Sequence, residues 1–349
     1  MTRTVIDLRS DLMAPRSAKV AAAMQVAAMR PPAMGHGEDP DERALAEMME
    51  EELGVEAVLL VPTCTMANQI AIRLHLPEGG QLASSALAHV VTVEDRATAL
   101  TGAARQVLPD EKGHPTPGAV ADFFARRTFG EAALIWLENT HMLAAGSVLP
   151  SGWQSDIGVT CRSAGSALHL DGSRLWNAAV AQDVSMSTLV AGCDTVAVSL
   201  NKAIGAPVGS VLAGSRSSID EALRWRDVMG GGWRPIGSIA AAARAALEGW
   251  RDRLEMDAAM ANTLARTIAD RLGDHAIQPT QTNLIFLNRP SGDAAQFVDG
   301  LARHNVQAIM LTTTMVRLAI HNGVRAREVE TIAAAVAVAD RELAAMRNV

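Results

Sequence analysis

The chain has 349 residues, 49% of them hydrophobic and 20% charged, with a formal net charge of −7. That is enough chain for a large core and usually two domains, in an ordinary globular composition. The negative charge and the lack of a basic tract argue against nucleic acid as a partner, and no apolar run approaches the ~18 residues that span a bilayer.

The start, M-T-R-T-V-I-D-L-R-S-D, has no apolar core followed by a cleavage site, so no secretory leader is expected. Cys64, Cys161 and Cys193 are odd in number and widely spaced, which fits neither a disulfide framework nor a metal site. The expected setting is a reducing cytoplasm, with no metal. Tyrosine is absent, so no tyrosine can serve as acid or base.

Thr4–Asp11 reads as a short extended arm, Ser17–Met29 as a helix and Pro31–Pro40 as a loop rich in proline and glycine. Asp41 is expected to cap a helix through about Glu52, with Gly54 as its stop. Ala57–Val61 is a short apolar run suited to a strand buried on both faces. The turn Thr63-Cys64-Thr65 follows, then a helix over Met66–Leu76. Strand, hydroxyl-bearing turn and helix together make an anion site, because free N–H groups and the helix dipole aim at one spot.

Alternation continues with strands at Gln81–Leu87, Arg105–Leu108, Ala132–Leu137, Ala167–Leu170, Thr195–Leu200 and Val208–Ala213. Helices fall at Val91–Ala99, Thr116–Arg126, Trp153–Ser163 and Arg174–Ala181. Repeated βα units predict a mostly parallel sheet covered on both faces. After a helix at Ser215–Asp227 and the break at Gly230–Gly232, a long alanine-rich helical stretch runs over Ile236–Arg271. Strands at Asn283–Leu287, Val306–Met310 and Val316–His321, with helices at Ala294–His304 and Ala326–Met346, complete a smaller α+β domain. The expected organisation is an N-terminal arm and helix (1–30), a large domain (31–235) and a small C-terminal domain (236–349).

Thr65, His89, His141, Asp171 and Lys202 all fall just after strand ends, where open α/β sheets bind ligands. Lys202 is one of only three lysines, with Lys19 and Lys112, and lies between an apolar strand and the turn Ala203–Gly209. A chain that otherwise uses arginine has reason to keep a lysine where it needs an amine that can lose its proton and form a Schiff base. Asp171 is suited either to holding a pyridine nitrogen protonated or to capping the next helix. Arg174, one turn on, and Arg317, on the apolar strand M-V-R-L-A-I-H, can grip a substrate carboxylate through two parallel bonds. His89 and His141 can stack on a planar cofactor or meet a substrate hydroxyl; His36, His321 and Glu94 are secondary candidates. His169 reads as a packed core residue, and His75, His114, His275 and His304 as surface or helix-packing residues.

Seven stretches carry a family resemblance: I-D-L-R-S-D (6–11), G-E-D-P (37–40), P-T-C-T-M-A-N (62–68), E-N-T-H (138–141), H-L-D-G-S-R-L-W-N-A (169–178), L-N-K-A-I-G-A-P-V-G-S (200–210) and G-G-G-W-R (230–234). Together they resemble the low-specificity L-threonine aldolases, beta-eliminating-lyase-type pyridoxal-phosphate enzymes of the aspartate-aminotransferase fold. The C-terminal third matches mainly through V-R-L-A-I-H (316–321). The resemblance implies fold type I: a large domain with a mostly parallel seven-stranded sheet covered by helices, plus a smaller C-terminal α+β domain. It implies that Lys202 holds pyridoxal 5′-phosphate covalently, that Asp171 pairs with the ring nitrogen and that His89 stacks on the ring. Thr65 and Cys64 take the phosphate, which Arg234 reaches across a subunit interface. Ser10, Arg174 and Arg317 take the substrate carboxylate, and His141 lies near the β-hydroxyl. A homodimer or homotetramer, with the active site between subunits, is expected. The family usually has tyrosine before G-E-D-P and asparagine after E-N-T-H; His36 and Met142 stand there, at the expected side-chain pocket.

The implied reaction is cleavage of an L-β-hydroxy amino acid, such as threonine, allo-threonine or phenylserine, to glycine and an aldehyde. Two other reactions suit the same scaffold, β-elimination and a transaldolase-type exchange of aldehydes. A non-catalytic scaffold predicts a colourless protein, and a nicotinamide enzyme lacks its G-x-G-x-x-G after the first strand.

Overall fold

The computed structural model describes residues 5–127 and 132–347. Thr4, the expected start of the arm, lies outside them. The chain divides into two units: Arg16–Glu248, and a second made of Met1–Pro15 with Gly249–Val349. The divisions therefore fall after Pro15 and Glu248, not after residues 30 and 235.

The larger unit is built on seven strands, in the order Ala57–Val61, Ser210–Gly214, Thr195–Ser199, Ala167–Gly172, Ala133–Glu138, Gln81–Ser84, Ala104–Val107. Ser210–Gly214 runs antiparallel to both neighbours, and the other pairs are parallel. Ala57–Val61, Ala133–Glu138 and Thr195–Ser199 are buried at every position, as a sheet with helices on both faces requires. Only the edge strand Ala104–Val107 is exposed throughout. Register sets which polar side chains become neighbours: His169 lies beside Trp136 and Thr195, and Asp171 beside Glu138 and Ala197. Side chains alternate along strands, so these residues share one face.

The helix Cys64–His75 covers that face. Thr63 caps it, its hydroxyl accepting the Met66 N–H at 3.1 Å. Ala67, Ile70 and Ala71 pack with Leu59, Val61, Ala197 and Leu212. On its far side, Ile72 joins Leu82, Leu134 and Trp136 in a second cluster.

Several boundaries differ from the sequence expectation. Asp39, not Asp41, caps the helix Pro40–Leu53, its carboxylate accepting the Asp41 and Glu42 N–H groups. Pro40 at the first helical position has no N–H to leave unsatisfied, which moves the start upstream. The long helical stretch is two helices, Gly237–Leu247 and Trp250–Leu272, separated at Gly249, whose φ of +62° is left-handed. Val91–Ala99 resolves into His89–Thr92 and Asp95–Ala99, and Val306–Met310 into Val306–Gln307 and Ile309–Thr312. His114 is buried rather than superficial, its Nε2 2.9 Å from Ser147 Oγ, and burial pushes its pKa down to about 3. No helix among the described residues is long and apolar enough to cross a membrane.

The smaller unit holds a three-stranded antiparallel sheet, Leu284–Asn288, Met315–Ala319, Ile309–Thr312, with Ile6–Asp7 pairing in parallel with Val306–Gln307. Helices Trp250–Leu272, Ala294–Arg303 and Val329–Arg347 close its core around Leu264, Ile285, Phe297, Leu318 and Val336. Arg289 ties it together with both carboxylate oxygens of Asp293, at 2.9 and 2.7 Å, and with Asp340 at 2.6 Å.

Asp257 in this unit gives a pH dependence. Burial raises its pKa to about 7, Arg253 opposing and Asp11 adding to the rise. The folded state thus holds a proton that the unfolded chain loses near pH ~3.9. Stability falls as pH rises from about 4 and stops falling above about 7. Asp257→Asn is expected to raise the melting temperature at pH 8 by about 2–6 °C, and by less as the pH drops to 4.5. Thermal melts across that range check it; a difference that does not change with pH would count against it.

Candidate active site

The first turn of the helix Cys64–His75 leaves its amides without intrahelical partners, at the carboxyl end of the strand Ala57–Val61. Thr65 is exposed there, and the Cys64 sulfur accepts the Ser210 hydroxyl at 3.1 Å. Burial raises the Cys64 thiol, so it stays protonated and adds no charge that would repel an anion.

Asp171 lies next to the end of the strand Ala167–Gly172 and is 2% exposed. Its Oδ2 accepts Asn68 Nδ2 at 2.9 Å and its Oδ1 the Ser173 N–H at 3.1 Å. Burial alone would push its pKa up. The charges of His89 and Lys202 and hydrogen bonds from the Asn68 and Ser173 side chains outweigh burial and hold it below the usual carboxylate value. The site therefore keeps an ionised acid where water is scarce.

His89 lies close to Asp171. Its Nδ1 is 3.1 Å from Glu94 Oε1, and ligand atoms of His89, Glu94 and Asp171 all lie within 4.8 Å of one another. Burial opposes charging the ring, but Glu94, Asp171 and Glu138 prevail, and its pKa lies above the ordinary value. Glu138 sets the spacing of the two site histidines. Its two oxygens accept the His89 N–H at 2.8 Å and the Met142 N–H at 2.9 Å, so one buried carboxylate ties both segments.

Lys202 is half-buried in the turn after Thr195–Ser199, its amide donating to Ser199 Oγ at 3.3 Å. Its charge lowers the pKa of both Asp171 and Cys64. Arg174 is 5% exposed at the start of the helix Leu175–Gln182.

His141 is 1% exposed, and its ring is fully engaged. The Ala144 N–H donates to Nδ1 at 3.3 Å, so the proton sits on Nε2, which donates to Ser85 Oγ at 2.9 Å. In that tautomer Nε2 is a donor and not a base. His36 pairs with Glu42, Nδ1 to Oε1 at 2.8 Å, beside the buried Arg226. Arg234 is exposed.

Ser10 and Arg317 belong to the smaller unit. Arg317 Nη2 donates to the Arg9 carbonyl at 2.7 Å, and the Ser10 hydroxyl accepts the Leu12 N–H at 3.2 Å. Both thus converge on the arm at residues 9–10. His321 braces the same arm, with Nε2 2.9 Å from the Asp7 carbonyl.

Sequence reasoning missed Asn68, Ser173 and the bracing role of Glu138. The signal for Asn68 was present: two adjacent amides, Asn68 and Gln69, set among Ala67, Ile70 and Ala71 in an otherwise apolar helix stretch.

Pyridoxal phosphate needs a lysine amine, an anion cradle and a carboxylate that stays ionised against the ring nitrogen. Lys202, the first turn at Cys64–Thr65 and Asp171 meet those demands within the larger unit, and the ionised, buried Asp171 is the decisive fit. Residues 7–289 match the beta-eliminating lyase family. The chain belongs to that family. Low-specificity L-threonine aldolase 1 of Arabidopsis thaliana is 31% identical over 94% of this chain and 94% of its own length. The low specificity L-threonine aldolase of Escherichia coli K12 is 31% identical over 95% and 98%. Among solved structures, threonine aldolase of Leishmania major superposes with a TM-score of 0.79 at 18% identity, over 95% of this chain and 98% of that one. This beta-eliminating lyase family member has the fold type I architecture, and its cofactor is pyridoxal phosphate. It is a carbon–carbon lyase of the threonine-aldolase kind.

Proposed function

We propose that the protein cleaves an L-β-hydroxy amino acid, threonine, allo-threonine or a bulkier analogue such as phenylserine, to glycine and an aldehyde. The observation that carries this reading is Asp171: a buried carboxylate held ionised by His89, Lys202, Asn68 and Ser173 at a strand end. Pyridoxal phosphate, when bound, supplies an electron sink for the negative charge left at Cα when the Cα–Cβ bond breaks. Lys202 would hold the cofactor through its amine. Asp171 would keep the ring nitrogen protonated, and the half-buried His89 would pack against the ring. Thr65 and the Cys64 amide take the phosphate at the positive end of the helix dipole. Arg174 takes the substrate carboxylate. His141 lies near the β-hydroxyl with both ring nitrogens engaged, by Ser85 Oγ and the Ala144 N–H, so a water and not the imidazole takes the hydroxyl proton. His36 and Met142 border the side-chain pocket, and neither carries the aromatic hydroxyl or amide usual there. The reading extends to a cytoplasmic homodimer or homotetramer, as the family resemblance implies.

A panel of L-threonine, L-allo-threonine and L-phenylserine tests it. Glycine and the matching aldehyde are expected in equal amounts. A 2-keto acid with no glycine would mean β-elimination and would overturn the reading.

A further inference from the structure

The same site carries a second layer behind Asp171. We propose that His75, Thr195, His169 and Asn68 form a hydrogen-bond chain of one fixed direction that locks Asp171 as an acceptor facing the cofactor ring, with His169 as its positioning residue. The proposal rests on the proposed function for the cofactor, but the chain itself stands on the protein alone.

The direction follows from the end whose role is fixed. An ionised Asp171 can only accept. Asn68 Nδ2 donates to it at 2.9 Å and to Glu94 Oε1 at 3.1 Å. That turns Asn68 Oδ1 away, 3.3 Å from His169 Nε2, so Nε2 must carry the proton. His169 is 0% exposed, and burial pushes its pKa down to about 3, so the ring is neutral and Nδ1 is bare. Nδ1 lies 2.8 Å from Thr195 Oγ1, which therefore donates to it. The Thr195 oxygen is 2.9 Å from His75 Nε2, which donates in turn. Burial holds the His75 pKa below its ordinary value, and adding a proton at its Nδ1 would leave the Nε2 donor in place.

Each bond thus points toward Asp171, and the chain cannot reverse. Turning the Asn68 amide over would put its oxygen against the Asp171 and Glu94 carboxylates and its NH2 against the Nε2–H. Asn68 and His75 lie seven residues apart on one helix, about two turns, and so on one side of it. His169 and Thr195 are register partners on adjacent strands. The chain crosses between helix and sheet and ends where His75 lines a surface pocket with Cys193 and Asp194. Aligned hydrogen bonds polarise one another in a low dielectric, so the row favours the charged form of Asp171.

The test has two arms on the full chain. Long-range 15N–1H spectra of 15N-histidine-labelled protein, with and without pyridoxal phosphate, are expected to report neutral His169 protonated at Nε2 in both states. A proton on Nδ1, or a charged ring, overturns the proposal. In the second arm, His169→Phe removes the donor and His169→Gln keeps one at the same reach. The Phe variant is expected to weaken cofactor binding at least about tenfold, as one lost hydrogen bond to a charged system does, and the Gln variant to restore most of it. Wild-type affinity in the Phe variant overturns the proposal; if that variant fails to fold, the tautomer decides. A wild-type protein that binds no pyridoxal phosphate would sink the functional reading while the tautomer measurement still judged the chain.

Discussion

Lys202→Ala is expected to give a folded protein that loses the visible absorbance of the cofactor and about 10⁴-fold or more of its turnover. Folding should survive because Lys202 is half-buried and braces its turn through its backbone, the amide to Ser199 Oγ and the carbonyl to the Gly205 N–H at 3.1 Å. No other lysine can substitute: Lys19 is paired with Glu248, and Lys112 holds a left-handed turn (φ +50°). Lys202→Arg should fail as fully, since a guanidinium keeps its proton at neutral pH. Spectra and steady-state rates of purified variants check this. A coloured, active Lys202→Ala protein would remove the lysine from the reaction.

Asp171→Asn is expected to lower turnover on the order of 10³-fold while the protein stays folded. The substitution keeps the size of the side chain but only one acceptor oxygen, so one of the two donors, Asn68 Nδ2 or the Ser173 N–H, retains its partner. It removes the charge that keeps a proton on the ring nitrogen, and each pKa unit of that nitrogen is worth about 1.4 kcal/mol. It also strips His89 of one of the charges that raise its pKa, so the His89 titration should move down. Rates and an NMR titration of His89 measure the two effects together. Unchanged rates with an unchanged His89 titration would mean that the carboxylate faces neither group.

The order of strands and helices in the larger unit was legible because buried parallel strands read as short apolar runs and each polar residue after them marks a strand end. Trp153–Ser163 is a helix over the expected residues, and Ala57–Val61 a strand over the expected residues. Asp171 and Lys202 could be named from chemistry because an acid and a lone lysine closing apolar strands have few bland uses. Local signals misled where a neighbouring residue shifted the balance. Pro40 moved a helix cap from Asp41 to Asp39, and Gly249 cut one helical stretch in two.

By itself, then, the sequence determined the alternation of elements and the mostly parallel sheet, and it singled out Asp171 and Lys202 as candidates, since periodicity and residue chemistry are local. Only the tertiary structure decided which polar groups meet. Asn68 reaches Asp171 across 103 positions of chain, and His75 reaches Thr195 across 120. Hydrogen-bond direction is a property of a closed set of neighbours: it emerged only once helix and sheet brought a carboxylate, an amide, two imidazoles and a hydroxyl into one buried row.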